Sequence, residues 1–185
     1  SAYPPEKSIY YTLLRETGIH HKDTDGQYVF GEPTCNVIDL WNECCQFVQN
    51  SIDKPRKLSE LIKILKSAPF KLKQGVIDFW LPIFLYIKQQ DFALYEGDRF
   101  VLSITKEVFE ILQKHPNEFS VKSYNVSGVK ADFFKRYRQF FHKDDTISIQ
   151  GDSLMGVAKP FLQYIKNLND YAKHTYKFDN SYTAK

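Results

Sequence analysis

Cysteine, methionine and glycine are scarce in this chain, and charge of neither sign dominates it. Three cysteines, an odd number with no C-x-x-C spacing, exclude a disulfide framework and a zinc ribbon. Cys44 and Cys45 are adjacent inside a helical stretch, so they cannot both face one partner; they read as half-buried helix cysteines rather than nucleophiles. That usage fits reducing cytoplasm. A net charge of +3 is too small to imply a polyanion partner by itself. The longest apolar run, Phe79 to Ile87, is far too short to span a bilayer, so no membrane partner is expected. No G-x-x-x-x-G-K-[ST] motif occurs, and Gly75 and Gly97 stand alone, so no glycine loop cradles a phosphate. No Ser-His-Asp or Cys-His signature is recognisable. His20, His21, Asp23 and Asp25 lie in one polar loop with a spacing that matches no metal-ligand pattern. His142 and His174 stand alone beside lysines and read as surface residues. The sequence therefore assigns no catalytic, cofactor-binding or metal-ligating residue, and no cofactor.

What is present is core. Hydrophobic residues make up 43% of the chain and aromatics 16%, too many for a disordered segment. At 185 residues the chain suits one large domain or two small ones. The ends, Ser1-Ala2 without an initiator Met and a polar run from Lys177 to Lys185, read as those of a piece of a longer protein. Helical spacing predicts a helix over Glu6 to Thr17, with Gly18 ending it. His20 to Gly26 reads as loop and Gln27 to Phe30 as a short strand. A second helix is predicted over Cys35 to Ser51, with Val37, Ile38, Trp41, Cys45 and Val48 inward.

Lys54 to Leu102 is the most informative stretch. Ser59 is expected to cap a short helix through Lys66, with Leu58, Leu61, Ile62 and Leu65 inward. Ala68-Pro69 ends it. Gly75 to Gln89 is then apolar around nearly its whole circumference, which predicts burial on all sides, with a kink or a fresh turn at Pro82. A hairpin follows, Phe92–Tyr95 and Arg99–Leu102 about Glu96-Gly97-Asp98. Helix, helix and hairpin in this order make the winged-helix order. Further along, Thr105 caps a helix to about Lys114. Ser120 to Val126 is a weak strand, Lys130 to His142 a helix, and Asp144 to Asp152 a linker. The last helix is predicted over Ser153 to Asn167, with Leu154, Val157, Phe161, Leu162 and Ile165 inward, and Tyr171 to Tyr176 extends it.

Two basic clusters carry the only interaction signal. Lys54, Arg56, Lys57, Lys63, Lys66, Lys71 and Lys73 stand against the single acid Glu60. Lys130, Lys135, Arg136, Arg138 and Lys143 alternate with Phe133, Phe134, Tyr137, Phe140 and Phe141. Such cations could contact phosphates, and aromatics could stack on unpaired bases. The competing reading is plainer: these are the wet faces of amphipathic helices, and the aromatics are core.

Three stretches carry a family resemblance. They are Tyr3-Pro4-Pro5-Glu6-Lys7-Ser8-Ile9-Tyr10 with Thr17-Gly18-Ile19-His20; Ala68 to Ile77 with Ala93-Leu94-Tyr95-Glu96-Gly97 and Phe100-Val101; and Pro160-Phe161-Leu162 with Leu168, Tyr171 and Thr175. In this order they resemble an accessory region, outside the P-loop domain, of very large bacterial ATPases linked to phage defence, of the BREX type. The resemblance implies a scaffold or interaction role and carries over no catalytic residue.

The resulting expectation is a mainly α chain with a small β component (α+β), built on a winged-helix-like unit flanked by additional helices. Residues 1–35 are expected to form an N-terminal helix and short strand, 36–125 the winged-helix-like core, and 126–185 a C-terminal helical segment, together one compact body. The expected function is a non-catalytic interaction region of a cytoplasmic ATPase, with the rest of the parent polypeptide and other proteins as partners. The alternative is a nucleic-acid module touching DNA phosphates weakly and without sequence preference.

Overall fold

The structure, a computed structural model, describes residues 4–124 and 154–174. The predicted helix over 130–142, the linker over 144–152 and the second basic cluster lie outside the described residues. The chain divides into two units, Ser1–Asn125 and Val126–Lys185. The first is α+β, with two small antiparallel sheets.

The first unit opens with α1 (Pro5–Tyr10), which starts with a proline in its first turn and runs on as a π-helical turn, Tyr11–Arg15. Gly18 follows at φ +81°, and a Cβ there would stand 2.5 Å from Thr34 Oγ1, so only glycine fits. The segment predicted as a polar loop is in part a strand. β1 (His20–Lys22) pairs antiparallel with β2 (Tyr28–Phe30). The turn between them is fixed by Asp23, whose Oδ1 accepts from the amides of Asp25 and Gln27 at 3.0 and 2.8 Å.

α2 (Ile38–Gln49) buries Leu40, Trp41, Cys44, Phe47 and Val48. Its inward face is thus turned from the predicted one. Ile38 is exposed and Cys45 only half-buried, because the helix packs with Leu40, Cys44 and Phe47, beside Trp41 and Val48, toward the core. A short strand β3 (Arg56–Lys57) leads directly into α3 (Leu58–Lys66). Lys57 occupies the N-cap position, and no side chain caps this helix. Ser59 sits inside the first turn, because β3 carries extended backbone up to Lys57. Leu58, Leu61 and Leu65 face inward as predicted.

α4 (Gln74–Ile87) is continuous through Pro82. Ile77, Trp80, Leu81, Phe84 and Leu85 are buried, with Trp80 and Phe84 each 1% exposed. The helix is not buried on all sides, however. At 100° per residue its opposite face carries Phe79, Pro82, Ile83 and Tyr86. The first three are half-buried and Tyr86 is exposed.

β4 (Phe92–Glu96) and β5 (Arg99–Phe100) form the predicted hairpin, shorter than expected on its second strand. α5 (Lys106–Lys114) starts after Thr105, which holds the N-cap position as predicted but makes no side-chain capping hydrogen bond. The weak strand signal becomes β6 (Phe119–Ser123), which is central: the sheet order is β3-β6-β4-β5. Phe92 stands opposite Ser123 and Leu94 opposite Val121. Phe92, Leu94, Phe119 and Val121 are buried, so this face of the sheet closes the core against the helices.

Of the second unit, α6 (Leu154–Asn167) and α7 (Asp170–His174) are described. α7 is a separate short helix rather than an extension of α6. Asn169 Oδ1 accepts from the Ala172 amide at 2.7 Å and restarts the chain as a helix. Leu162 and Ile165, expected inward, are exposed, and Lys159 is buried. Burial lowers the Lys159 pKa to about 8. Among the described residues no helix is long and apolar enough to cross a membrane.

Candidate interaction surface

The first basic cluster divides into cations with structural duties and cations without. Arg56 has such a duty. Its guanidinium lies 4.1 Å from the centroid of the Phe47 ring and bonds Glu60, in the first turn of α3, at 3.1 Å. Glu60, the cluster's one acid, is neutralised by that pair. Lys54 and Lys57 are exposed, in the α2–β3 connection and on β3.

The remaining four gather at one end of α3. Lys63 and Lys66 are three residues apart on its exposed side, hence neighbours on one face. The chain after α3 folds back onto the helix end. Lys71 donates its amide to the Ser67 carbonyl at 2.8 Å, and Leu72 to the Leu65 carbonyl at 2.9 Å. That return brings exposed Lys71 and Lys73 beside the last turn of α3. Arg136 and Arg138 lie outside the described residues.

The loop histidines are held by local structure. The Tyr10 hydroxyl and His20 Nδ1 share a 2.6 Å hydrogen bond. The His20 ring stacks on Tyr28 at 5.1 Å and packs on Phe30 at 4.8 Å. His21 Nδ1 bonds the Gly18 carbonyl at 2.8 Å. Among the described residues no group of three or more His, Cys, Asp or Glu could hold a metal ion.

The cysteines are packing residues. Cys44 is wholly buried, where the sequence suggested half-burial, and Trp80 Nε1–H donates to its Sγ at 3.5 Å. Burial, against the pull of that hydrogen bond, pushes the Cys44 thiol up to about 12. Burial also raises the half-buried Cys45. Neither is poised as a thiolate.

A surface that sequence reasoning passed over is aromatic. Phe30 meets Tyr86 edge-on at 6.0 Å, which joins the β1–β2 hairpin to the outward face of α4. Tyr28, Phe30 and Tyr86 are 59%, 47% and 47% exposed. Lys88 sits at the end of α4 between Glu32 at 2.9 Å and Asp91 at 2.6 Å. Partial burial opposes its charge, yet the hydrogen bonds to Asp91 and Glu32 hold it protonated above the ordinary lysine range. This network ties the segment after β2 to α4 and so fixes Phe30 against Tyr86. The sequence signals were the alternation of Tyr28 and Phe30, and the helical spacing of Phe79, Ile83 and Tyr86.

No protein-family model, curated protein or solved structure matches the chain.

Proposed function

We propose that this chain is a non-catalytic scaffold and interaction region of a large bacterial cytoplasmic P-loop ATPase of phage-defence type, and that its α2–β6 portion is a winged-helix-like unit. The element order α2, β3, α3, α4, β4, β6 supports the second part, as does the placement of β6 between β3 and β4. In this reading β5 and α5 are carried in the wing. The sequence resemblance supports the first part.

The observation that carries the role is the outward face of α4. In a winged helix that reads DNA, the third helix turns polar and basic side chains to the major groove. Here that face presents exposed Tyr86, continued by exposed Phe30, beside Pro82 and beside Phe79 and Ile83, which are half-buried against the core. An apolar, partly exposed stripe of this kind suits an apolar partner surface, not base edges. The partner is the rest of the parent polypeptide.

The test is association in trans. The chain is mixed with the parent ATPase lacking this segment, and the complex is followed by size-exclusion chromatography. Association is expected for the wild-type chain and is lost for a Phe30→Glu/Tyr86→Glu variant that keeps the native circular dichroism spectrum. A folded wild-type chain that does not associate, or a variant that associates equally well, overturns the reading.

A further inference from the structure

We infer that Lys63, Lys66, Lys71 and Lys73 form a contact patch for the phosphate backbone of duplex DNA, bound without sequence preference. The patch is separate from the apolar face of α4 and does not rest on its role.

Four observations carry this. The fold-back at Ser67–Leu72 concentrates the four lysines at one end of α3. All four are exposed, and none has an ion-pair partner among the described residues. The nearest acid in sequence, Glu60, is taken up by Arg56. A local field of one sign without an ion-pair partner among the described residues matches a polyanion.

The surroundings narrow the occupant. Binding of single strands needs exposed aromatics on which bases stack. The aromatic residue within the cluster, Phe70, is half-buried against the core. A membrane surface is held more firmly where large apolar groups beside the lysines enter the lipid boundary. The exposed apolar residues here are Ala68 and Pro69, both small. Base readout is excluded as well, because α4 offers an apolar outward face. These surroundings favour backbone contact with a duplex.

The experiment is fluorescence anisotropy of the full chain with two labelled duplexes of unrelated sequence, titrated between about 50 and 200 mM salt. Both duplexes are expected to bind equally, no tighter than about 10⁻⁴ to 10⁻⁶ M at physiological salt. Four phosphate contacts set the slope of log K against log salt at about −3.6. Lys63→Gln/Lys66→Gln is expected to make that slope shallower by about 2 and to weaken binding at least tenfold. The control Lys106→Gln/Lys114→Gln removes the same charge from α5 and is expected to leave binding unchanged. Absence of saturable binding overturns the inference. So does equal loss in both variants, or a preference for one duplex. Vesicles rich in anionic lipid are titrated in parallel. Vesicle binding that is lost in Lys63→Gln/Lys66→Gln, without duplex binding, assigns the patch to membranes and likewise overturns the inference.

Discussion

The side-chain amide of Gln113 donates to the backbone carbonyl of Asp78 at 3.0 Å, and that carbonyl is the one Pro82 leaves without its helical donor. Proline at position 82 has no N–H to return to residue 78, so α4 carries an open acceptor one turn before it. α5 closes it from outside. A proline that predicts a kink is thereby accommodated in a continuous helix, and α5 is pinned to α4.

Replacing Gln113 by Ala is expected to cost about 0.5–1.5 kcal/mol, the range for a net hydrogen bond. The informative measurement is a double-mutant cycle with Pro82→Ala, read by urea titration. An alanine N–H at 82 restores the intrahelical bond, so Gln113→Ala should then cost less than in the wild type. Equal cost in both backgrounds would show that Gln113 acts by packing alone.

Trp80 anchors the core between α2 and α4. Its ring meets Trp41 edge-on at 6.1 Å, and its Nε1–H reaches Cys44. Trp80→Ala is expected to destabilise the chain by about 3–5 kcal/mol. A loss under about 1 kcal/mol would remove Trp80 from the centre of the core.

Cys44 makes a pH-dependent contribution of definite sign. Its thiol is raised by burial from 9.0 to about 12 in the folded chain. Above pH 9 the unfolded chain loses this proton and the folded chain keeps it, so stability falls as pH rises from about 9 toward 12. Cys44→Ala should flatten that alkaline slope relative to the wild type. In native protein a thiol reagent at mildly alkaline pH is expected to spare Cys44 while modifying the half-buried Cys35. Mass spectrometry showing Cys44 labelled as fast as Cys35 would contradict its burial.

On the proposed scaffold reading, the chain should neither hydrolyse ATP nor gain stability from it. A ligand that binds the native state at a hundred times its Kd stabilises by about 2.7 kcal/mol, which thermal unfolding detects readily. No shift is expected with Mg-ATP. A saturable rise in melting temperature would establish a nucleotide site and displace the scaffold reading.

The helices of the first unit were legible because their apolar residues recur with helical spacing over a dozen positions. The small sheets were less so. His20-His21-Lys22 carries no apolar alternation, since His20 is satisfied by Tyr10, Tyr28 and Phe30 rather than by a core; such a strand looks like a loop. β6 looked weak because its polar positions, Ser120 and Lys122, interrupt Phe119 and Val121, yet pairing on both sides makes it central. The basic cluster was legible as composition only. That Arg56 packs on Phe47, while Lys71 and Lys73 return to the end of α3, depends on hydrogen bonds that no periodicity announces. The outward face of α4 was misread for a related reason: uniform apolarity gives no phase, so the side left toward solvent emerges only from packing.

The central claim is that the α4 face is covered in the parent ATPase. Hydroxyl-radical footprinting of Tyr86 and Phe30, in the isolated chain and in the full-length protein, tests it directly. Both side chains are about half-exposed in this chain and are expected to be modified readily. In the parent protein their modification is expected to fall several-fold, while Lys63 and Lys66, labelled by acetylation, remain reactive. Equal footprints at Tyr86 and Phe30 in the two proteins would contradict the account.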